Sequence, residues 1–580
     1  MCYLYINIMS KKYITISCLF YLVFIVSCMA QPNAVLTEPK LKEQKNEIKS
    51  EKVFESSIIN RTVKIAAKEK FIIVDNKKYP SSKLLNSFYK TRKYNLAWFK
   101  SNLEPRKAFF TYLKLLKNAN YEGLEPNFYY FQEIEDNILE LENLTGNDLI
   151  LRVIQLDLLV SNSNLQYFSD LLFGRYELGP NFSELSYSEP YINLVNIINK
   201  SIAKNNFKSA LKIILPESRV YYSLREALKE YEEIYANGGW QTVPPGPTLK
   251  KGTTNVRVVF LKHRLYRSGD LKLYANQNAE QYLNNNFFDD QLFAAVSEFQ
   301  KRHGLKQDGE VGNNTLNSLN IPIDYKLTSI KINLDLWRKL PRNLGDKYIL
   351  VNVPAFKLYG VENNQKLLDM RVIVGRLDWN TPVFSEYMEY VVVNPFWNIP
   401  SSIFADEVLP EIKKDPDYLK KKNIEVVSLS NASVENTEYV NWYEVDPKNF
   451  NYRLRQQPGA ANPLGRLKFM LPNKHSVYLH DTPTKSLFNR SNRRFSHGCI
   501  RIEKPLDLAD FVFNDDNAWD AQKVQNAINS GASNNIYLKQ PIPVHILYFT
   551  VWVEDNGSIH FRDDVYNFFS SSGTSKDNSI

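Results

Sequence analysis

The sequence predicts a multidomain α+β chain, and three observations carry that prediction. Its 580 residues exceed the size at which one hydrophobic core stops growing. Apolar residues recur at helical spacing over residues 60–240, as in Leu151, Ile154 and Leu158, whereas from Tyr348 onward they fall into runs such as Ile349-Leu350-Val351-Asn352-Val353. Between the two regimes stand Gly238-Gly239-Trp240 and Pro244-Pro245-Gly246-Pro247, which cannot continue a helix and mark a boundary.

At the N-terminus, Lys11 and Lys12 precede an apolar run from Tyr13 to Val26 that ends in Ser27-Cys28. Residues 1–28 therefore read as an export signal. The run approaches but does not reach the roughly 18–20 residues of a membrane span, so an uncleaved anchor is the alternative reading. The Ser-Cys junction resembles a bacterial lipoprotein signal, which implies lipidation of Cys28 and a membrane anchor there. Residues 29–55, rich in Lys, Glu, Gln, Asn and Pro, read as a solvated tether.

The cysteines are Cys2, Cys18, Cys28 and Cys499, so processing of the signal leaves Cys499 as a lone free thiol in an oxidising compartment. Such a thiol is either inert and buried or it is chemistry. The net charge of +9 comes from 72 basic and 63 acidic residues, interspersed, with only short blocks such as Lys420-Lys421-Lys422. That distribution argues against a nucleic-acid partner and suits contact with an anionic polymer.

Residues 56–245 are expected to form a helical unit. Residues 254–322 form a compact piece in which Val256, Val258, Leu261 and Leu265 open the pattern and Leu292, Ala295, Val296 and Phe299 share a helix face. Gly304-Leu305, Asp308-Gly309, Gly312 and Thr315-Leu316 then give a helix stop, a tight turn and a short helix. Ile330, Leu334 and Trp337 mark one further helix. Residues 345–568 read as β-rich, interrupted at about 394–464 by an insertion with a helix near Phe404–Lys414; long insertions of this kind act as lids. Glu554-Asp555-Asn556-Gly557 reads as the turn of a β-hairpin, and residues 569–580 as a disordered tail.

The chemistry concentrates in His480-Asp481-Thr482-Pro483 and Ser496-His497-Gly498-Cys499-Ile500-Arg501. A thiol attacks a carbonyl as the thiolate, and a nearby imidazole takes its proton and hands it to a leaving amine. Both His480 and His497 are open to that role. Gly498 allows close backbone approach and presents N–H groups to an oxyanion, and Arg501 adds a fixed charge. A structural cysteine is the bland alternative, and a zinc site falls short of ligands unless His475, His545 or His560 joins Cys499, His480 and His497.

His-x-Thr-Pro with Ser-His-Gly-Cys-x-Arg resembles the signature of the L,D-transpeptidases. The likeness extends to Ala97-Trp98, Asn394-Pro395 with Trp397-Asn398-Ile399-Pro400, Leu464-Gly465-Arg466 and Phe561-Arg562-Asp563-Asp564. It points to the larger subgroup, with a helical scaffold domain, a small three-helix module resembling peptidoglycan-binding domains, and a β-rich catalytic domain capped by the insertion. The resemblance implies Cys499 as nucleophile, His480 as base and the Asp481 backbone carbonyl as its orienter. It assigns Ser496, His497, Gly498 and Arg501 to substrate and oxyanion binding. It further implies that no metal or organic cofactor is needed and that the partners are peptidoglycan stem peptides and glycan, in a periplasmic, membrane-anchored lipoprotein. Cys499 would open a tetrapeptide stem with release of D-Ala and pass the acyl group to an acceptor amine, forming a 3→3 crosslink. An L,D-carboxypeptidase or endopeptidase, with water as acceptor, and a noncatalytic membrane-to-wall anchor are the alternatives.

Overall fold

A computed structural model describes residues 51–74, 76–176, 178–185, 193–435, 440–516 and 518–569. The export signal, Cys28 and most of the tether lie outside them. The helix Glu51–Ala66 begins inside the stretch expected to be a solvated tether. From Ser57 onward the chain forms one compact unit.

The helical region is built on the 28-residue helix Gly146–Phe173, whose middle turns from Leu156 to Leu165 are buried on every side. A helix buried on all sides must satisfy its polar groups internally. Asp157 accordingly accepts from the Ala97 and Trp98 amides at 3.0 and 2.7 Å and from the Tyr89 hydroxyl at 2.5 Å. The Ala97-Trp98 motif is thus a pair of backbone donors anchored on a buried carboxylate. This region does not end at residue 245. The helix Ile323–Lys339 packs into the same apolar core. Its Arg338 guanidinium is buried, pairing with Asp335 at 2.5 Å and reaching the Tyr221 hydroxyl at 3.0 Å. Spacing along the chain could not reveal that the scaffold resumes after an intervening module.

That module has its own core, including Val258, Leu261, Leu265, Val296 and Phe299, carried on Arg257–Arg267, Asp290–Arg302 and Asn313–Leu319 with a short turn at Ala279–Leu283. Val256 is 66% exposed, so the buried apolar face of this helix starts two positions later than the pattern suggested, at Val258. Gln300, buried at the end of its helix, accepts from the Gly309 amide at 2.8 Å and donates to Asp308 and to the Glu310 carbonyl. One amide side chain therefore fixes the Asp-Gly turn. The preceding Pro-rich stretch is part of this module, since Val243 and Leu249 belong to its core.

The C-terminal region is organised by a nine-stranded sheet: β1 Lys347–Asn352, β2 Lys357–Glu362, β3 Gln365–Gly375, β4 Phe384–Val393, β5 Leu467–Met470, β6 Leu479–His480, β7 Arg494–Ser496, β8 Ile500–Ile502 and β9 Asn534–Leu547. Their order is β7-β3-β8-β6-β5-β4-β9-β1-β2, and β2 also pairs with β3, so the sheet curls back on itself. The β6–β8 pairing is parallel and sets Leu479 beside Ile500 and His480 beside Arg501. The hairpin Val551–Val553 with Ile559–Phe561 forms as expected. Of the stretch expected to be a tail only Phe569 is among the described residues, and it stacks on Phe182 with ring centroids 5.6 Å apart.

Residues 394–464 carry a separate apolar cluster, including Ile403, Phe404, Leu409, Val426 and Leu454, and a four-stranded sheet of their own. The insertion is a small subdomain and not an extended loop. Its helical stretch from Ser401 to Lys414 is interrupted by a π-helical turn at Phe404–Val408, an irregularity that often accompanies functional sites.

Candidate active site

Two short strands position the site. In β6 and the residue before it, Tyr478 and His480 point to one face because strand side chains alternate. Cys499 immediately precedes β8, and the Ile500 amide bonds to the Tyr478 carbonyl at 3.1 Å. This register brings Cys499 alongside Tyr478 and Arg501 alongside His480. The same row continues to β5, where Lys468 pairs with His480. Lys468, His480 and Arg501 therefore line up across three neighbouring strands.

The His480 imidazole is 4% exposed and donates Nδ1–H to the Asp481 carbonyl at 2.6 Å. A carbonyl can only accept, so the bond selects the tautomer that leaves the Nε2 lone pair free. Burial first, then the Arg501 charge, lower the His480 pKa to about 3, against a smaller opposing effect of the Asp481 carbonyl. At neutral pH the ring is an unprotonated base. The Asp481 carboxylate plays a separate part, accepting from the Arg466 and Thr482 amides at 2.9 and 2.7 Å and from Lys485 Nζ at 2.6 Å. Gly465 makes this possible. Its φ of +62° suits glycine, and a Cβ there would collide with the Asp481 carboxylate.

Cys499 is partly exposed, and among the described residues it is the one cysteine, free of any disulfide. Its Sγ lies 3.8 Å from the Ser476 carbonyl. Burial raises the thiol pKa, while hydrogen bonds from Tyr478 and the charges of Lys468 and Arg501 pull it down. The Tyr478 phenol is itself pushed up, by burial and then by Cys499. The resting thiol and imidazole are thus both neutral. Sequence reasoning missed Tyr478 and Lys468. The alternation Tyr478-x-His480 was the signal available for the first, whereas Lys468 becomes visible only through strand pairing.

The rest of the motif builds the loop. Ser496 Oγ donates to the Cys499 carbonyl at 2.5 Å and accepts from the Gly498 amide at 3.2 Å. The Gly498 carbonyl is held by Thr381 Oγ1 at 2.8 Å, and its φ of +106° requires glycine. The Gly498 amide, one of the N–H groups expected to meet an oxyanion, is thus already shared with Ser496. His497 stands apart from His480 and Asp481: its Nε2 meets Glu407 Oε1, on the π-helical turn of the insertion, at 2.7 Å, and its ring lies edge-on to Trp379. Among the described residues no three His, Cys, Asp or Glu side chains stand together as a metal site would require. No described helix is long and apolar enough to cross a membrane.

Comparison with known families matches an L,D-transpeptidase catalytic domain at residues 346–521, a scaffold domain at 83–228 and a "Putative peptidoglycan binding domain" at 254–319. A "Putative L,D-transpeptidase" of Haemophilus influenzae is 36% identical over 220 residues, which are 38% of this chain and 44% of that protein; the chain thus spans less than half the length of this relative. Among solved structures, L,D-transpeptidases of Stackebrandtia nassauensis and Xylanimonas cellulosilytica are 13% and 14% identical. They cover 53% and 52% of this chain and are themselves covered to 96% and 100%, with TM-scores of 0.20 and 0.16, too low to bear on the fold. The site built on Cys499 and His480 accordingly lies within the region matched by the L,D-transpeptidase catalytic-domain family, in a multidomain chain whose helical region and small intervening module match the scaffold and peptidoglycan-binding families.

Proposed function

We propose that the chain is a peptidoglycan L,D-transpeptidase of the cell envelope. The observation that carries this reading is the His480 Nδ1 bond to the Asp481 carbonyl, which leaves Nε2 facing the same side of the sheet as the thiol. In the proposed reaction Cys499 Sγ attacks the carbonyl of the third stem residue as its proton passes to His480 Nε2. The Cys499 and Gly498 amides receive the oxyanion, the latter exchanging its bond to Ser496. His480 then returns the proton to the departing D-Ala amine, leaving a thioester. An acceptor side-chain amine attacks the thioester, loses its proton to His480 and releases the thiol, so that a 3→3 crosslink forms.

The insertion supports transfer over hydrolysis, because a subdomain that contacts the catalytic loop through Glu407 can shield the thioester from water. The peptidoglycan-binding domain supports a wall partner, and Cys28 is the proposed lipid anchor of a periplasmic protein. The test is mass spectrometry of the full chain incubated with tetrapeptide stems. An acyl adduct on Cys499 with dimeric products is expected. Trimmed monomers alone would make the enzyme a carboxypeptidase, and dimers formed by Cys499→Ala would refute the nucleophile.

A further inference from the structure

Phe182 and Glu184 bring the scaffold region to within one loop of the thiol. The short turn Pro180–Leu185 lies against β4. Its Phe182 is buried, with the rings of Tyr548, Phe568 and Phe569 at 6.2, 5.7 and 5.6 Å between centroids. That anchorage presents Glu184 to the loop joining β5 to β6. One carboxylate oxygen, Oε1, accepts from Lys474 Nζ and from His475 Nε2, each at 2.9 Å. A carboxylate only accepts, so the bond places a proton on His475 Nε2. The same ring meets Phe384 of β4, 5.1 Å between centroids. The imidazole is therefore fixed from the scaffold and from the sheet.

The next residue in the loop touches the thiol. Ser476 has a φ of +55°, in the left-handed region, where a residue other than glycine persists only if its surroundings hold it. Within the loop the hold is Asn473, whose side chain accepts from the His475 and Val477 amides at 3.0 and 3.2 Å and donates to the Leu471 and Val477 carbonyls. From outside the loop it is the bond between Glu184 and His475. Ser476 thus directs its carbonyl at Cys499 Sγ, 3.8 Å away. A carbonyl there accepts S–H, favours the neutral thiol over the thiolate and restricts where the sulfur swings. In the function proposed above, on which this inference rests, that sulfur is the attacking atom, so its orientation bears on turnover. We propose that Glu184 is a positioning residue for the Cys499 thiol, acting through His475 to hold the Ser476 carbonyl in place. The scaffold region thereby sets the resting orientation of a group in the catalytic region. The Glu184 and His475 side chains are 32% and 27% exposed. Ion pairs this open to solvent add little to folding stability, so the effect falls on the loop and not on the whole chain.

The test uses the full chain and reads the thiol directly. In Glu184→Ala, alkylation of Cys499 by iodoacetamide at about pH 8 is expected to quicken twofold to fivefold, because the acceptor that favours the neutral thiol is loosened. Hydrogen exchange should quicken at residues 473–477, with the melting temperature within about 1 °C of the wild type. Glu184→Gln keeps an acceptor for His475 Nε2 and should restore both. His475→Ala should reproduce the change, and the double variant should add little to either single one. With tetrapeptide stems, kcat in Glu184→Ala should fall about tenfold with KM within about twofold, as for a misplaced reacting group and not for lost substrate binding. Unchanged alkylation and exchange in Glu184→Ala overturn the proposal, as do effects additive with those of His475→Ala. Exchange quickened throughout the chain, with a lowered melting temperature, would make Glu184 a general stabiliser and also overturn it. Alkylation and exchange need no substrate, so a wild type that never turns over would count against the proposed function and not against the positioning role.

Discussion

Glu407 of the insertion receives His497 Nε2 at 2.7 Å, so the residue two positions before Cys499 is tied to the subdomain that flanks the site. Glu407 also faces Arg376 at 3.7 Å, while the Arg376 guanidinium lies 5.9 Å from the centre of the Trp379 ring. These contacts form a latch between insertion and catalytic loop. Glu407→Ala is expected to loosen it. Hydrogen exchange over residues 401–414 should quicken, and the share of thioester lost to water should rise severalfold over transfer as the site opens. Unchanged exchange and product ratio would show that the contact does not hold the insertion.

The Cys499 and His480 environments predict a pH dependence of defined sign. An unfolded histidine titrates near 6.5, whereas His480 in the fold remains neutral until about pH 3. The stabilisation associated with the neutral ring is complete above pH 6.5 and is lost progressively as pH falls towards 3, because the unfolded chain takes up the proton first. Thermal melting between pH 6.5 and 4 should therefore fall more steeply for the wild type than for His480→Gln. Because burial raises the thiol pKa above its usual value near 9, alkylation of Cys499 by iodoacetamide should still be rising at pH 9. A plateau below pH 8 would indicate a thiolate ion pair in the resting enzyme.

Much of this site was legible because its elements are local. Ser496 to Arg501 form one continuous loop and strand, and Gly498 and Ser496 act within a few residues of Cys499. The choice of His480 over His497 as base rests on the family pattern, since spacing alone left both open. What escaped the sequence depends on pairing between distant strands. Lys468 faces His480 only through the β5–β6 register. The return of Ile323–Lys339 to the scaffold is a packing event whose partners, such as Glu122 and Tyr221, lie more than a hundred residues away.

Gly465 connects a distant loop to the orientation of the His480 imidazole. Its φ of +62° and the absence of a side chain let the Asp481 carboxylate pack against it and accept the neighbouring Arg466 amide. Gly465→Ala forces that carboxylate away and strains the backbone, moving the residue whose carbonyl aligns His480. A loss of about a hundredfold in kcat is expected from a displacement on the order of 1 Å, with carbamidomethylation of Cys499 by iodoacetamide largely retained. Wild-type turnover in Gly465→Ala would show that the Asp481 carboxylate is not needed to place the imidazole.

Lys326 provides a test far from the thiol. It is 4% exposed where the helix Ile323–Lys339 meets the C-terminal hairpin, with Nζ 4.2 Å from the centre of the Phe561 ring. Burial lowers its pKa to about 7, and Arg264 and Arg302 add to the effect. An unfolded lysine titrates near 10.4, so folding favours the neutral amine, and the associated stability is lost as pH falls from 10.4 towards 7. At neutral pH and below, the buried charge costs on the order of a few kcal/mol, which an apolar side chain of similar length avoids. Lys326→Met should therefore raise the melting temperature at pH 7 by roughly 2 °C or more. The gain should shrink as the pH is raised towards 10, where the wild-type amine is neutral. A melting temperature lowered equally at both pH values would show that the Lys326 side chain stabilises the junction independently of its charge.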